Sequence, residues 1–247
     1  MNFLKTRCLS LAAAALTVGL AGLLAAPVHA NEAVIRKNLP ERLPTFPKID
    51  EVQKTPMPGL FEVRVNGNEI FYTDATGSFL IQGTLIDAKA KRNLTEERTD
   101  KLNRVVFDSL PIKDAITIVR GNGKRKLAVF EDPNCGYCKR FERDLQQVSD
   151  VTIHMFLIPI LGPDSAEKSK NVWCAADKAK AWSDLMVAGK NIPAGNCDTA
   201  AIARNLEFAR KYQITGTPTL IFADGSRVPG ALTAAQVEQS LAQAKMP

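Results

Sequence analysis

Two cysteines separated by two residues form the part of the sequence best suited to chemistry. The segment reads Cys135-Gly136-Tyr137-Cys138. It follows a predicted strand and opens a predicted helix over 135–148, with Asp132 and Asn134 as candidate helix caps. The nucleophile in thiol–disulfide exchange is the thiolate, and the unpaired N–H groups at a helix N-terminus stabilise negative charge. The pattern therefore predicts that Cys135 attacks disulfides and that Cys138, one turn further on and more buried, resolves the product.

Two other interpretations of this cysteine pair remain open. It could be half of a zinc site with Cys174, Cys197 or His154 as further ligands, although their spacing matches no usual zinc pattern. It could also be a purely structural disulfide, although a position between a strand and a helix favours exchange chemistry. We expect no metal and no cofactor beyond a redox-active disulfide between Cys135 and Cys138.

A threonine–proline pair supplies the second candidate element. Thr217-Pro218 directly precedes a predicted strand over 219–222. Proline has no N–H to donate, so the backbone of Thr217 is available to an extended substrate segment that adds as a short strand. A proline that simply enters a strand is the plainer interpretation, and the CxxC upstream favours the functional one. The predicted substrate-binding residues are Gly136, Tyr137, Thr217 and Pro218.

The two remaining cysteines of the folded region, Cys174 and Cys197, fall in a predicted helical block. One interpretation is a structural disulfide that closes this block, which the loop-entropy model values at about 3 kcal/mol. The other interpretation is a second redox-active pair.

Residues 1–30 have the pattern of a secretory signal peptide. A basic start precedes an uncharged run over 9–26, and Val28-His29-Ala30 is a small-residue cleavage site. We expect cleavage after Ala30, with an uncleaved anchor helix as the alternative. Export would place the cysteines after position 30 in an oxidising compartment, where an even number favours disulfides.

The charge of the chain argues against a nucleic-acid partner. The 247 residues have a formal net charge of +6 and a pI near 9.1. Their Lys and Arg residues are dispersed rather than clustered with aromatic residues, as a nucleic-acid surface would require. We therefore expect an ordinary solvated surface and no nucleic-acid binding.

A small β-rich domain is predicted over 31–93. Apolar and polar residues alternate over 61–65, which is typical of a half-buried strand. Asn66-Gly67 is a hairpin signal, and 70–73 would form the returning strand. A domain this small is marginal alone, and its strand edges favour pairing with a second chain.

A linker helix is predicted over 94–111. Thr95 can cap its start, and apolar residues recur at helical spacing as far as Leu110. Pro111 would end it.

The remaining segment, 112–247, has the element order of a thioredoxin-like fold. Strands are predicted over 115–119 and 126–130, the CxxC helix follows, and a further strand covers 151–158. A helical insertion over about 163–213 precedes the strand after Pro218, a turn and a closing helix. The fold class is therefore α+β, with a β-rich N-terminal domain, a linker helix and a thioredoxin-like C-terminal domain.

Segments along nearly all of the chain after residue 30 match one known family. They are Phe130-Glu131-Asp132-Pro133-Asn134 with the CxxC, Trp173-Cys174-Ala175-Ala176-Asp177-Lys178, Asn196-Cys197-Asp198, Gly216-Thr217-Pro218, Asp224-Gly225 and Val228-Pro229-Gly230. Ile81-Gln82-Gly83 and the turns of the N-terminal region match less specifically. Together they resemble the DsbC/DsbG family of bacterial periplasmic disulfide isomerases.

The resemblance implies a periplasmic homodimer joined through its N-terminal dimerisation domains. It implies that Cys174 and Cys197 form a structural disulfide and that the bond before Pro218 is cis. The substrates would be unfolded or misoxidised exported proteins. Isomerisation needs a reduced CxxC, so the resemblance implies an electron donor, a membrane thiol reductase of the DsbD type. Dimerisation would shield the site from the enzyme that oxidises DsbA.

Two positions depart from the wider pattern. Thioredoxin-like enzymes often have a buried carboxylate six residues before the first cysteine, which accepts the proton of the second, and here that position is Val129. Glu131 lies on the same side of the predicted strand, and its role stays open. Lys139 stands where the family often has His. His154, in an apolar strand, is predicted to be a core residue rather than a base.

A disulfide isomerase is the favoured function, and three others compete with it. A DsbG-like reductase that rescues single oxidised cysteines is less consistent, because the DsbG motif has Pro at the position of Gly136. A redox-independent holdase chaperone would retain its activity after Cys135→Ala. A primary oxidase would keep its CxxC oxidised in cells.

Overall fold

The structure is a computed structural model that describes residues 26–244, with side chains from residue 31 onward. The predicted signal peptide and its cleavage site after Ala30 therefore lie outside the residues described in full. Within 26–244, no helix combines the length and the apolar character needed to cross a membrane. The chain divides into two compact units, with the boundary between Gly83 and Thr84.

The N-terminal unit, residues 26–83, is an antiparallel sheet with one helix. Its elements are α1 (Ala26–Arg42), β1 (Ile49–Lys54), β2 (Leu60–Val65), β3 (Glu69–Asp74) and β4 (Leu80–Ile81). The strands lie in the order β1-β2-β3-β4. Helix α1 contributes Ile35 and Leu39 to the apolar core formed with the sheet.

The predicted hairpin turn at Asn66-Gly67 joins β2 to β3. Both residues have positive φ, 50° and 85°, as a type I′ turn requires. In β2 the apolar side chains Phe61, Val63 and Val65 are buried, but so is Glu62 between them. Both faces of this strand are therefore covered, whereas the alternation predicted only one.

The C-terminal unit, residues 84–244, contains the CxxC segment. Its first elements are β5 (Ile86–Asp87), β6 (Arg92–Asn93), α2 (Leu94–Leu102) and two 3₁₀ turns (Phe107–Ser109 and Ile112–Asp114). The main body follows with β7 (Ile116–Arg120), β8 (Arg125–Glu131), α3 (Gly136–Leu145), β9 (Val151–Leu157), α4 (Pro163–Trp173), α5 (Lys178–Met186), α6 (Ala200–Lys211), β10 (Thr219–Phe222), β11 (Arg227–Pro229) and α7 (Ala234–Gln243).

The main sheet has the strand order β11-β10-β8-β9-β7. Strands β8 and β9 are parallel, because α3 crosses between them, and the other neighbours are antiparallel. Strand β8 is central, so its C-terminal end delivers the CxxC segment from the most buried part of the unit.

Successive side chains of β8 reach opposite faces of the sheet. Leu127 and Val129 pack with residues of α3 and α7, whereas Ala128 and Phe130 pack with α6. Glu131 continues the first series, so it lies on the face that α3 covers.

The helix predicted over 95–110 is shorter in the structure. Helix α2 ends at Leu102, and the N–H of Val105 donates to the carbonyl of Gly225 at 3.1 Å rather than continuing the helix. Val105, Phe107 and Leu110 are buried in one apolar cluster. These apolar residues are therefore buried together, but they lie on an irregular segment with a 3₁₀ turn and not on a helix.

The cap predicted for this helix is also different. Asn93 is the N-cap, and its Oδ1 accepts a hydrogen bond from the N–H of Glu96 at 3.1 Å. The Thr95 hydroxyl instead accepts a hydrogen bond from the N–H of Leu85 at 2.8 Å.

Helices α4, α5 and α6 form the insertion between β9 and β10. Cys174, at the end of α4, is bonded to Cys197 in the loop before α6, with their Cα atoms 5.6 Å apart. Gly195 packs against this crosslink, since a Cβ there would lie 2.5 Å from the Cβ of Cys174. The disulfide therefore closes the loop between α5 and α6 onto the end of α4.

Replacing Cys174 and Cys197 together with alanine should lower the free energy of unfolding by about 3 kcal/mol, because the unfolded chain regains the freedom of this loop. Urea denaturation of the variant and the wild type, both without reductant, measures the difference. If the pair is structural, exchange activity at the CxxC persists in the folded variant. Loss of that activity without loss of stability would instead identify a second redox pair.

Candidate active site

Helix α3 begins at the first cysteine of the motif. Cys135 is the N-cap residue, and its Sγ accepts a hydrogen bond from the N–H of Cys138 at 3.3 Å. The sulfur thus lies at the positive end of the helix dipole, where a thiolate is stabilised. The capping role predicted for Asp132 and Asn134 is wrong, because the sulfur itself provides the cap.

Cys135 also contacts the loop that carries Pro218. The Thr217–Pro218 peptide bond is cis. The Cys135 thiol donates to the carbonyl oxygen of Thr217 at 3.2 Å, and the N–H of Gly230 donates to the carbonyl oxygen of Pro218 at 2.8 Å. The structure therefore brings together the two elements that the sequence placed far apart.

An open groove adjoins the motif. It has a volume of about 430 Å³ and is lined by Tyr137 and Arg140 of α3, by Thr217, and by Leu232 and Thr233 before α7. The Tyr137 side chain is 70% exposed. A substrate in this groove would lie against the exposed end of α3.

The loop between β8 and α3 is fixed by Asp132, which is fully buried. Its Oδ1 accepts hydrogen bonds from the N–H of Asn134 and the hydroxyl of Ser165, both at 2.7 Å. Its Oδ2 accepts from the N–H groups of Ile160 and Leu161 at 2.8 and 2.9 Å. One carboxylate thus joins the loop before Cys135 to the start of the insertion, a role that the sequence analysis missed.

Asn134 extends this connection to α4. Its Nδ2 donates to Asp164 Oδ2 at 2.6 Å and to Ser165 Oγ at 3.0 Å, and its Oδ1 accepts from Lys168 Nζ at 2.8 Å. The pKa of Asp164 is lowered chiefly by its hydrogen bond to Lys168 and next by its hydrogen bond to Asn134. These contacts hold the loop before Cys135 against the start of α4.

Cys138 lies one turn further along α3 and is fully buried. Burial raises the pKa of its thiol, and the ionisation of Glu131 would raise it further. Burial likewise raises the pKa of Glu131, followed by the charges of Glu142 and Cys135. Sequence reasoning left Glu131 open and missed Glu142, although a glutamate four residues after Cys138 is on the same face of the helix.

Residues proposed as other ligands or bases lie elsewhere. His154 is a core residue whose Nδ1 is 3.1 Å from the hydroxyl of Thr117 and whose ring neighbours Phe107. Cys174 and Cys197 are bonded to each other, so they are not available as zinc ligands. Among the side chains of 31–244, no group of three or more His, Cys, Asp and Glu is arranged to hold a metal ion.

Two family models match the chain. Residues 26–96 match the disulfide bond isomerase protein N-terminal domain, and residues 112–245 match a thioredoxin-like domain. The predicted fold class, a small N-terminal domain followed by a thioredoxin-like domain, is confirmed.

Relatives of known name agree with these models. The probable thiol:disulfide interchange protein DsbC of Bordetella parapertussis is 42% identical over 84% of this chain and 73% of its own. The thiol:disulfide interchange protein DsbC of Escherichia coli is 31% identical over 74% of this chain and 77% of its own. A disulfide interchange protein from Neisseria gonorrhoeae, known from a crystal structure, is 38% identical over 56% of this chain and all of its own, with a TM-score of 0.53. The chain belongs to the DsbC family of thiol:disulfide interchange proteins.

Proposed function

We propose that this protein is a disulfide isomerase that reshuffles or reduces non-native disulfides in exported proteins. The observation that carries the proposal is the position of Cys135, whose sulfur lies between a helix N-terminus and the carbonyl oxygen of Thr217. Thr217 also lines the open groove beside the motif, and Cys135 is 6% exposed whereas Cys138 is 0% exposed.

The exchange begins when the Cys135 thiolate attacks one sulfur of a substrate disulfide. A mixed disulfide forms, and the other substrate sulfur leaves as a thiolate. That thiolate can attack another disulfide of the substrate and so release a new substrate thiolate. The new thiolate displaces Cys135, and the substrate is rearranged without net oxidation. Alternatively Cys138 attacks Cys135, releases the substrate reduced and leaves the CxxC oxidised.

The groove supports a polypeptide substrate rather than a small molecule. Its walls are formed by residues from three chain segments, including the exposed ring of Tyr137 and the cation of Arg140. The carbonyl oxygen of Thr217 lies 3.2 Å from the Cys135 sulfur, so an extended segment that pairs with the Thr217 backbone would lie beside the CxxC. Gly136 leaves open space above the helix start, because no atom lies within 4 Å of a Cβ built there.

The partners follow from this chemistry. An isomerase must return to the dithiol form after each reductive turnover, so we propose a membrane thiol reductase of the DsbD type as the electron donor. We also propose misoxidised exported proteins as substrates and the periplasm as the location, in agreement with the signal peptide predicted for 1–30.

We also propose a homodimer formed through the N-terminal unit. The match to the disulfide bond isomerase N-terminal domain supports this. In that unit β4 is an edge strand of two residues, and the side chains of Phe79 and Ile81 beside it are 72% and 50% exposed. An edge strand with exposed apolar side chains is suited to pairing with another chain.

Substoichiometric enzyme should restore activity to a scrambled protein with several disulfides in a mild thiol buffer, and Cys135→Ala should abolish this turnover. The reason is that the variant lacks the attacking thiolate. Cys174→Ala/Cys197→Ala is the matched control, because it also removes cysteines but leaves the motif intact. A holdase would retain its effect in Cys135→Ala. Reduction of a single-cysteine adduct without recovery of the scrambled protein would support the DsbG-like reductase instead.

Size-exclusion chromatography with light scattering should give twice the mass of one chain for the wild type. Phe79→Asp combined with Ile81→Asp should shift the protein to the monomer, because a dimer interface would bury two new charges. Val119→Asp is the matched control, since Val119 is 62% exposed and lies in the C-terminal unit. A monomeric wild type would contradict the dimer.

A further inference from the structure

Glu131 is a buried carboxyl group that lacks a hydrogen-bond donor. Its side chain is 0% exposed, and neither carboxyl oxygen accepts a hydrogen bond within the described part of the chain. Burying such a group is costly, and unsatisfied polar atoms in native proteins call for a functional explanation. The fold offers no structural reason for it, since Val129 on the same face packs well as an apolar residue.

The neighbours of Glu131 come from helix α3. Cys138 and Glu142 are one turn apart on that helix, and both are buried. Glu131 follows Leu127 and Val129 on the face of the sheet that packs with α3, and the charges of Glu142 and Cys135 act on its ionisation.

Glu142 differs from Glu131 because it has stabilising partners. Its Oε1 accepts a hydrogen bond from the indole N–H of Trp182 at 2.8 Å. The guanidinium group of Arg120, at the end of β7, interacts favourably with its charge. Two close carboxyl groups do not both ionise readily. Glu131, whose pKa is raised by burial and by the charge of Glu142, is therefore the member of the pair that holds a proton.

Cys138 needs a base that the solvent does not supply. Its sulfur is fully buried, and burial together with Glu131 raises the pKa of the thiol. The thiol must nevertheless lose its proton before it can attack Cys135. The carboxyl group of Glu131, on the sheet face that α3 covers, is able to take that proton.

We propose that Glu131 accepts the proton of Cys138 when the mixed disulfide is resolved, with Glu142 as the partner that sets when it can do so. This inference rests on the exchange reaction proposed above. Thioredoxin-like enzymes often have the proton acceptor six residues before the first cysteine, where this chain has Val129. Glu131 would accept the proton from a position two residues closer to the CxxC.

Formation of the mixed disulfide removes the charge of Cys135, one of the causes that raise the pKa of Glu131. The proton of Glu131 then passes to solvent and leaves a carboxylate. The carboxylate then takes the proton of Cys138, and the Cys138 thiolate attacks Cys135. A Cys135–Cys138 bond forms, the mixed-disulfide bond breaks, and the substrate sulfur leaves as a thiolate. Two electrons pass from the enzyme dithiol to the substrate disulfide.

The test follows both steps with one reagent. A nitrobenzoate disulfide releases one coloured thiolate when Cys135 attacks it and a second when Cys138 resolves the adduct. In a stopped-flow instrument the reduced full-length protein should therefore give two phases. Cys138→Ala should give only the first.

Glu131→Gln should slow the second phase by about a hundredfold, the lower end of general acid–base contributions, and leave the first phase unchanged. The neutral amide resembles the protonated carboxyl that faces Cys135 in the resting dithiol. In the wild type the second phase should rise with pH and level off as Glu131 ionises. In Glu131→Gln it should continue to rise with hydroxide, and Glu131→Asp should restore part of the rate.

Glu142→Gln gives an independent measurement that does not depend on folding of the Glu131 variants. The amide oxygen can still accept from Trp182, but the charge that holds the proton on Glu131 is gone. The pH at which the second phase levels off should therefore move down.

Three results would overturn the inference. They are a second phase in Glu131→Gln with wild-type rate and pH profile, equal slowing of both phases, and an unmoved pH profile in Glu142→Gln. Each leaves Cys135 chemistry standing. Absence of the first phase in the wild type would instead overturn the proposed function itself.

Discussion

The hydrogen bonds to Asp132 hold the reactive part of this protein together. A loop that enters a helix from a central strand leaves several backbone N–H groups without partners, and burial makes each of them costly. Asp132 satisfies N–H groups on its own loop and on the loop after β9, and it also binds the hydroxyl of Ser165. Because these contacts fix the chain immediately before Cys135, they determine where the sulfur lies relative to the helix and to Thr217. Together with the hydrogen bonds of Asn134 to α4, they couple the insertion to the motif, so a disturbance of α4 reaches the loop before Cys135.

The two sulfurs of the motif are chemically different because of their surroundings. One turn of helix separates Cys135, at the helix N-terminus and beside Thr217, from Cys138, which is 0% exposed. A helix N-terminus favours an anion, whereas burial disfavours it. The order of events in the exchange therefore follows from geometry: the sulfur at the helix N-terminus attacks first, and the buried sulfur acts only after a proton has been moved.

Much of this arrangement could be predicted from the sequence, because the relevant signals are local. The CxxC after an apolar strand predicts a sulfur at a helix start, and Asn66-Gly67 predicts its hairpin. Signals that depend on distant partners could not be interpreted. The stripe ending at Leu110 looked helical, yet Val105 bonds to Gly225, which is far along the chain. Asp132 was predicted to cap the helix because Asp is common at helix N-caps. Its hydrogen bond to Ser165 joins residues that are far apart in the sequence, so only the folded structure reveals it.

The crosslink between Cys174 and Cys197 has a practical consequence. Cys197 is exposed, so burial does not protect this bond. The C-terminal unit therefore contains one pair of free thiols and one disulfide, and the two pairs differ in accessibility and reactivity. A small dithiol in excess can react with both pairs. Storage in a reducing buffer, chosen to keep Cys135 active, therefore also opens the disulfide between Cys174 and Cys197. The measured stability of a sample then depends on how long it has been kept in that buffer.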